Sequence, residues 1–133
     1  MTVNYPKGVR SNRQPPVKVK ARHKYHAEKT TVDGHVFDSK AEAKRYGELK
    51  LMEMAGLIHD LMVHPRWALH AAIVSAESVI GSYEADFRYY QTDGDRSGWG
   101  IVEDVKGMRT LPLARWKQKH LKLEYGIIVQ EIR

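Results

Sequence analysis

The stretch Tyr83-Glu-Ala-Asp-Phe-Arg-Tyr-Tyr90, continued by Asp93-Gly-Asp-Arg-Ser-Gly98 and Trp99-Gly-Ile-Val-Glu-Asp-Val-Lys106, decides the fold. In its first part Tyr83, Ala85, Phe87 and Tyr89 alternate with Glu84, Asp86 and Arg88. That is the two-residue period of a strand with two unlike faces. The middle part is turn chemistry between two apolar runs, and the last part returns as a second strand that Gly107 closes. The reading is an antiparallel hairpin. With its loop centred near residue 95, opposed residues carry numbers that sum to about 190, as Asp86 and Asp104 do. On that register their Cβ atoms lie roughly 4.5–5.5 Å apart. Lys106, two residues beyond Asp104, projects from the same face, whereas Glu103 and Val105 project from the other.

Directly opposed carboxylates repel and destabilise a sheet, and a shared hard cation is the usual reason to keep them. Oxygen-only ligation suits Mg²⁺ or Mn²⁺, which keep several waters and bind phosphate oxygens alongside one or two carboxylates. Such an ion acidifies a bound water and polarises a scissile phosphate, and a neighbouring lysine adds positive charge where the transition state needs it. The competing reading is an ordinary strand-edge ion pair, with Arg88 or Lys106 as the partner. The acid-x-Lys triplet does not discriminate by itself, since it recurs at Asp38, Glu42, Glu48 and Asp104. Only the last lies on a strand facing another acid.

Upstream, Thr31-Val-Asp-Gly-His-Val-Phe37 reads as a short hairpin or turn around Asp33-Gly34. Asp38-Ser39 then caps a helix that runs to about Ala55 and ends at Gly56, with Tyr46, Leu49 and Met52 on its buried stripe. Glu42 carries two readings. Ser39-Lys-Ala-Glu42 is a capping box, which accounts for it structurally. It also shares the inward stripe of Tyr46 and Leu49, from which a carboxylate can meet the hairpin acids. Leu57–Val63 leads through Pro65 into a first strand near Trp67–Val74. Downstream, Pro112 opens a second helix to Tyr125 that stops at Gly126, and Ile127–Ile132 is a buried final strand. The expected order is α-β-β-β-α-β, a mixed α/β layer domain over residues 31–133.

The chain of 133 residues has 42% hydrophobic content, enough for one core, and no cysteine, which excludes disulfides, thiolate zinc sites and a cysteine nucleophile. No apolar run approaches the roughly 20 residues that span a bilayer, so the expectation is a cytoplasmic protein without a membrane partner. Net charge is +6 and the isoelectric point about 9.5, pointing to a polyanion. The excess is all in residues 1–30, where eight Lys or Arg face one acid; the rest of the chain holds fourteen basic and fifteen acidic groups. This segment reads as a flexible basic arm that grips phosphates, the alternative being a solvated tail. Lys18, Lys20, Arg22 and Lys24 in the arm are the expected nucleic-acid contacts. Arg45 on the first helix and Arg109, Arg115, Lys117 and Lys119 around the second complete that set. Among the histidines only His64 and His120 stand out for attention.

Ser39-Lys-Ala-Glu42-Ala-Lys-Arg-Tyr46, Tyr83-Glu-Ala-Asp86-Phe and Val102-Glu-Asp104-Val-Lys106-Gly107 resemble a phage and prophage family catalogued as a domain of unknown function. That family is similar to the PD-(D/E)XK nucleases, which include restriction enzymes, mismatch-nicking enzymes and Holliday-junction resolvases. The resemblance implies catalytic Glu42, Asp86, Asp104 and Lys106, the three acids serving as metal ligands for Mg²⁺ or Mn²⁺. It also implies a DNA endonuclease acting on branched or otherwise structured DNA, in phage DNA metabolism, with symmetric junction cleavage requiring a homodimer. A mismatch-type nicking enzyme and a non-catalytic nucleic-acid-binding module are the alternatives. Ala85 replaces the motif's nominal proline, and the adjacent acids Glu103 and Asp104 compete for the middle ligand position; strand parity selects Asp104.

Overall fold

In the computed structural model, residues 28–71 and 78–133 are described. The arm through residue 27, with Lys18, Lys20, Arg22 and Lys24, therefore lies outside the described residues, as does Val74.

The chain forms β1 (Thr30–Val32), β2 (His35–Phe37), α1 (Lys40–Met54), β3 (Ile58–Val63), β4 (Arg66–His70), β5 (Val79–Glu84), β6 (Phe87–Gln91), β7 (Ile101–Val105), α2 (Pro112–Tyr125) and β8 (Val129–Ile132). Among the described residues it is a mixed α/β architecture with a mixed sheet and two helices. Asp33 and Gly34 both have positive φ, the geometry that a two-residue hairpin turn between β1 and β2 demands. Ser39 caps α1 by accepting the Glu42 N–H at 3.2 Å, and Gly56 leaves the helix with φ of 74°. Pro112 opens α2 and Gly126, at φ of 72°, ends it. Both helices thus stop where their end signals stand. Neither is long and apolar enough to cross a membrane.

The main sheet has the order β3-β6-β7-β8, with β3-β6 and β6-β7 antiparallel and β7-β8 parallel. The predicted register is present: Phe87 opposes Glu103, Arg88 opposes Val102 and Tyr89 opposes Ile101, each pair summing to 190. The first strand of this sheet is Ile58–Val63, in place of the segment near Trp67–Val74 expected from sequence. The described part of that later segment forms β4, which among the described residues pairs with β5 in a separate two-stranded ladder. Ile58–Val63 escaped recognition because it carries polar His59 and Asp60, the latter at φ of 55°, and its ladder is irregular between His59 and Met62.

Between β5 and β6 the strand breaks at Ala85-Asp86, and its partner breaks opposite, at His64-Pro65. His64, with φ of 53°, donates its N–H to the Asp86 carbonyl at 3.0 Å, and Ala85 donates to the Pro65 carbonyl at 3.0 Å. The break changes which face is buried. Tyr83 and Ala85 pack with Trp67, Leu69, Val102, Leu121 and Ile127, the core beneath α2. Phe87 and Tyr89 pack with Phe37, Tyr46, Leu49 and Ile58, the core beneath α1. Val102 belongs to the first cluster while its neighbour Glu103 bonds to α1, so the two cores lie on opposite faces of β7. Tyr83, Ala85, Phe87 and Tyr89 share one parity, so an uninterrupted strand would place all four in the same core. Asp86 sits at the crossover.

Candidate active site

Asp86 and Asp104 meet where β7 parts from the kinked β5–β6 strand. The Asp86 N–H donates to the Glu103 carbonyl at 3.0 Å and lies 3.2 Å from Asp104 Oδ1, which also accepts it. Asp86 Oδ2 in turn accepts the Val105 N–H at 2.6 Å. The two carboxylates are thereby tied to each other's strands by backbone donors. Lys106 Nζ lies 3.1 Å from Asp104 Oδ2, on the face that strand parity assigns it. The Tyr83 hydroxyl donates to the same Oδ2, and Gln118 Nε2 on α2 donates to the Tyr83 oxygen at 3.2 Å. Asp104 is 3% exposed, so its charge is held almost wholly by these donors.

Burial pushes the Asp86 carboxyl up to about 7. The charges of Glu42 and Asp104 push the same way, against the Val105 N–H and Lys106, which favour the anion. Burial and the bond to Asp104 likewise raise the Tyr83 hydroxyl, which stays a protonated donor. The site therefore holds more negative charge than its own donors neutralise comfortably.

Glu42 is close enough for its charge to act on Asp86, but its oxygens are engaged. Oε1 accepts the Ser39 hydroxyl at 3.1 Å and Oε2 accepts the Asp38 N–H at 3.1 Å. The box closes one residue earlier than expected, on Asp38 instead of the cap residue's own N–H. Among the described residues no three His, Asp or Glu side chains converge as a metal-holding group. Asp86 and Asp104 remain as an oxygen-only pair, which fits a hard cation that takes one or two carboxylates and fills its shell with water and phosphate.

The adjacent acid, Glu103, points the other way. It is 1% exposed, accepts both Nε and an Nη of Arg45 at 2.9 and 2.8 Å, and accepts the Tyr89 hydroxyl at 2.6 Å. Arg45 is thus committed to a buried acid instead of standing free for a phosphate. Of the basic residues around α2, Lys117 lines a cavity with Asp104 and Lys106. Arg115 and Lys119 line a different groove, toward Ile127–Val129, and Arg109 is exposed before the helix. His64 acts through its backbone, its ring packing 5.8 Å from Phe37, and His120 pairs with Glu124 at 3.2 Å.

Tyr83 and Gln118 are the members that residue patterns missed. Alternation placed Tyr83 on the face of Ala85, Phe87 and Tyr89, opposite Asp86, whereas in the structure its hydroxyl meets Asp104. A larger cavity of about 400 Å³ lies at the loop end of β6 and β7, among Tyr90, Trp99 and Tyr125. Its only charged lining residue is Asp95, so it does not compete for this chemistry.

The family model described as "Protein of unknown function (DUF1064)" matches residues 22–131, and the chain belongs to that family. No curated protein and no solved structure matches it.

Proposed function

We propose that this family member is a metal-dependent endonuclease that hydrolyses phosphodiester bonds in DNA, with branched or otherwise structured DNA as its substrate. The observation that carries the reading is Asp86 beside Asp104 at the divergence of two strands, with Lys106 Nζ 3.1 Å from Asp104. The order α1-β3-β6-β7-α2-β8, once the two hairpins β1–β2 and β4–β5 are set aside, supports a PD-(D/E)XK-type core. Under this reading Ala85-Asp86 and Asp104-Val105-Lys106 are the two halves of the motif.

Asp86 and Asp104 would hold Mg²⁺ or Mn²⁺, which supplies charge neutralisation at the scissile phosphate and a more acidic bound water. Val105 fixes one oxygen of Asp86 through its N–H, leaving Oδ1 for a ligand. Tyr83 and Lys106 orient Asp104 by occupying Oδ2. Lys106 also places a positive charge beside the phosphate, where it stabilises the developing oxyanion and orients the attacking water. Glu42 adds its negative charge to the site at longer range, which helps draw the cation.

The test is cleavage of linear duplex, single strand, flap, mismatch and four-way junction in parallel, with Mg²⁺ or Mn²⁺. Asp104→Asn is expected to lose cleavage by about 100-fold or more while still binding DNA. If the wild-type protein cuts none of these forms, nor RNA, the reading fails.

A further inference from the structure

A cavity of about 280 Å³ opens beside Asp104 and Lys106, walled by Tyr83, Leu111, Leu113, Ala114 and Lys117. Leu111 and Leu113 are 64% and 65% exposed and belong to neither core cluster, so folding does not explain their apolar character. Phosphodiester hydrolysis does not explain it either, since a phosphate asks for charge and hydrogen-bond donors. The part of a nucleotide that asks for an apolar wall is the face of its base. The volume lies just under the roughly 300–1,000 Å³ of cavities that hold drug-sized ligands, which limits the occupant to one heterocycle. The charges on its lining balance, Lys106 and Lys117 against Glu84 and Asp104, which suits an uncharged base better than a phosphate.

We propose that this cavity receives one unpaired nucleobase of the strand being cut, next to the scissile phosphate. It rests on the nuclease reading and narrows it: the substrate is DNA splayed at the cut site, as at a flap or branch. A stacked and paired base would first have to be extruded, and that cost is least where the base is already unpaired. The apolar wall therefore discriminates by strand state without reading sequence.

The experiment uses the full chain, free of divalent cation, with oligonucleotides carrying 2-aminopurine at a flap junction or inside a fully paired duplex. A saturable fluorescence change is expected for the unpaired probe. Ala114→Trp, which fills the cavity, and Leu113→Glu, which places a charge on an exposed wall residue, should each reduce the preference for unpaired over paired probe by about 10-fold. Circular dichroism checks that both variants are folded, and the exposed position of Leu113 keeps at least that one informative. Equal preference in wild type and both variants overturns the proposal. Cleavage is scored separately with Mg²⁺. Cutting that ignores strand state sinks the base cavity and leaves the nuclease. Preference for the unpaired probe without cutting of any form sinks the nuclease and leaves the cavity.

Discussion

Arg45 reaches from α1 to grip Glu103 on β7 through two guanidinium nitrogens, at 2.9 and 2.8 Å, in a place where the acid is 1% exposed. The pair fixes the helix that carries Glu42 against the strand that carries Asp104. It also removes Glu103 from contention as a ligand, because its lone pairs are taken by Arg45 and Tyr89.

Removing the arginine alone strands a buried charge, and such truncations cost about 3–5 kcal/mol. Arg45→Met should therefore lower unfolding stability in urea by that order. Glu103→Gln added to it should recover most of the loss, since a neutral amide still accepts from Tyr89. A cost below about 1 kcal/mol for Arg45→Met would contradict the buried pair.

Stability should depend on pH through Asp86. Its ordinary value is 3.8 and its folded value about 7, so the folded state holds this proton more tightly than the unfolded chain does. The stabilisation from that proton is complete below about pH 4 and is lost as pH rises through 7. Asp86→Asn, which cannot ionise and still accepts the Val105 N–H, should gain on wild type across that window. Above it the gain should level off at about 2–4 kcal/mol, measured by denaturation in chelator. A difference between the two proteins that stays flat from pH 4 to 8 would count against the buried, crowded carboxylate.

Glu42→Gln separates the two readings of that residue. Glutamine closes a capping box as glutamate does, so stability should move by less than about 0.5 kcal/mol. Cleavage should nonetheless fall by about 10-fold or more, because the site loses a negative charge that helps draw the cation. Ser39→Ala is the converse control, costing about 1 kcal/mol of stability with little effect on the rate per folded molecule. Unchanged cleavage in Glu42→Gln would leave Glu42 a capping residue only.

Tyr83→Phe deletes the hydroxyl that Gln118 supports and Asp104 accepts. Partners that orient a metal ligand typically matter 10–100-fold, roughly, for metal affinity or activity. The expected signature is a rise of about 10-fold in the Mg²⁺ concentration needed for half-maximal cleavage, larger than any change at saturating Mg²⁺. A purely structural tyrosine would lower stability and leave that concentration where it was.

Local chemistry was sufficient for much of the fold. Asp33-Gly34, Ser39, Gly56, Pro112 and Gly126 each impose a backbone geometry whatever surrounds them, so the ends of both helices were legible. The β6–β7 register was legible too, since loop length and period-2 alternation set it, and it brings Asp86, Asp104 and Lys106 together. Alternation failed at one point. It placed Tyr83, Ala85, Phe87 and Tyr89 on a single face, whereas the shared break at His64-Pro65 and Ala85-Asp86 divides them between two cores.

Neighbours close along the chain therefore set the helix limits, the β6–β7 hairpin and the meeting of Asp86 with Asp104 and Lys106 across it. Tertiary structure alone decided that Arg45 is spent on Glu103, that Ile58–Val63 takes the sheet position expected for the next segment, and that Tyr83 and Gln118 support Asp104. Those contacts join residues far apart in the chain, and a side chain's partner there depends on how strands twist and where they break. No local pattern carries that information.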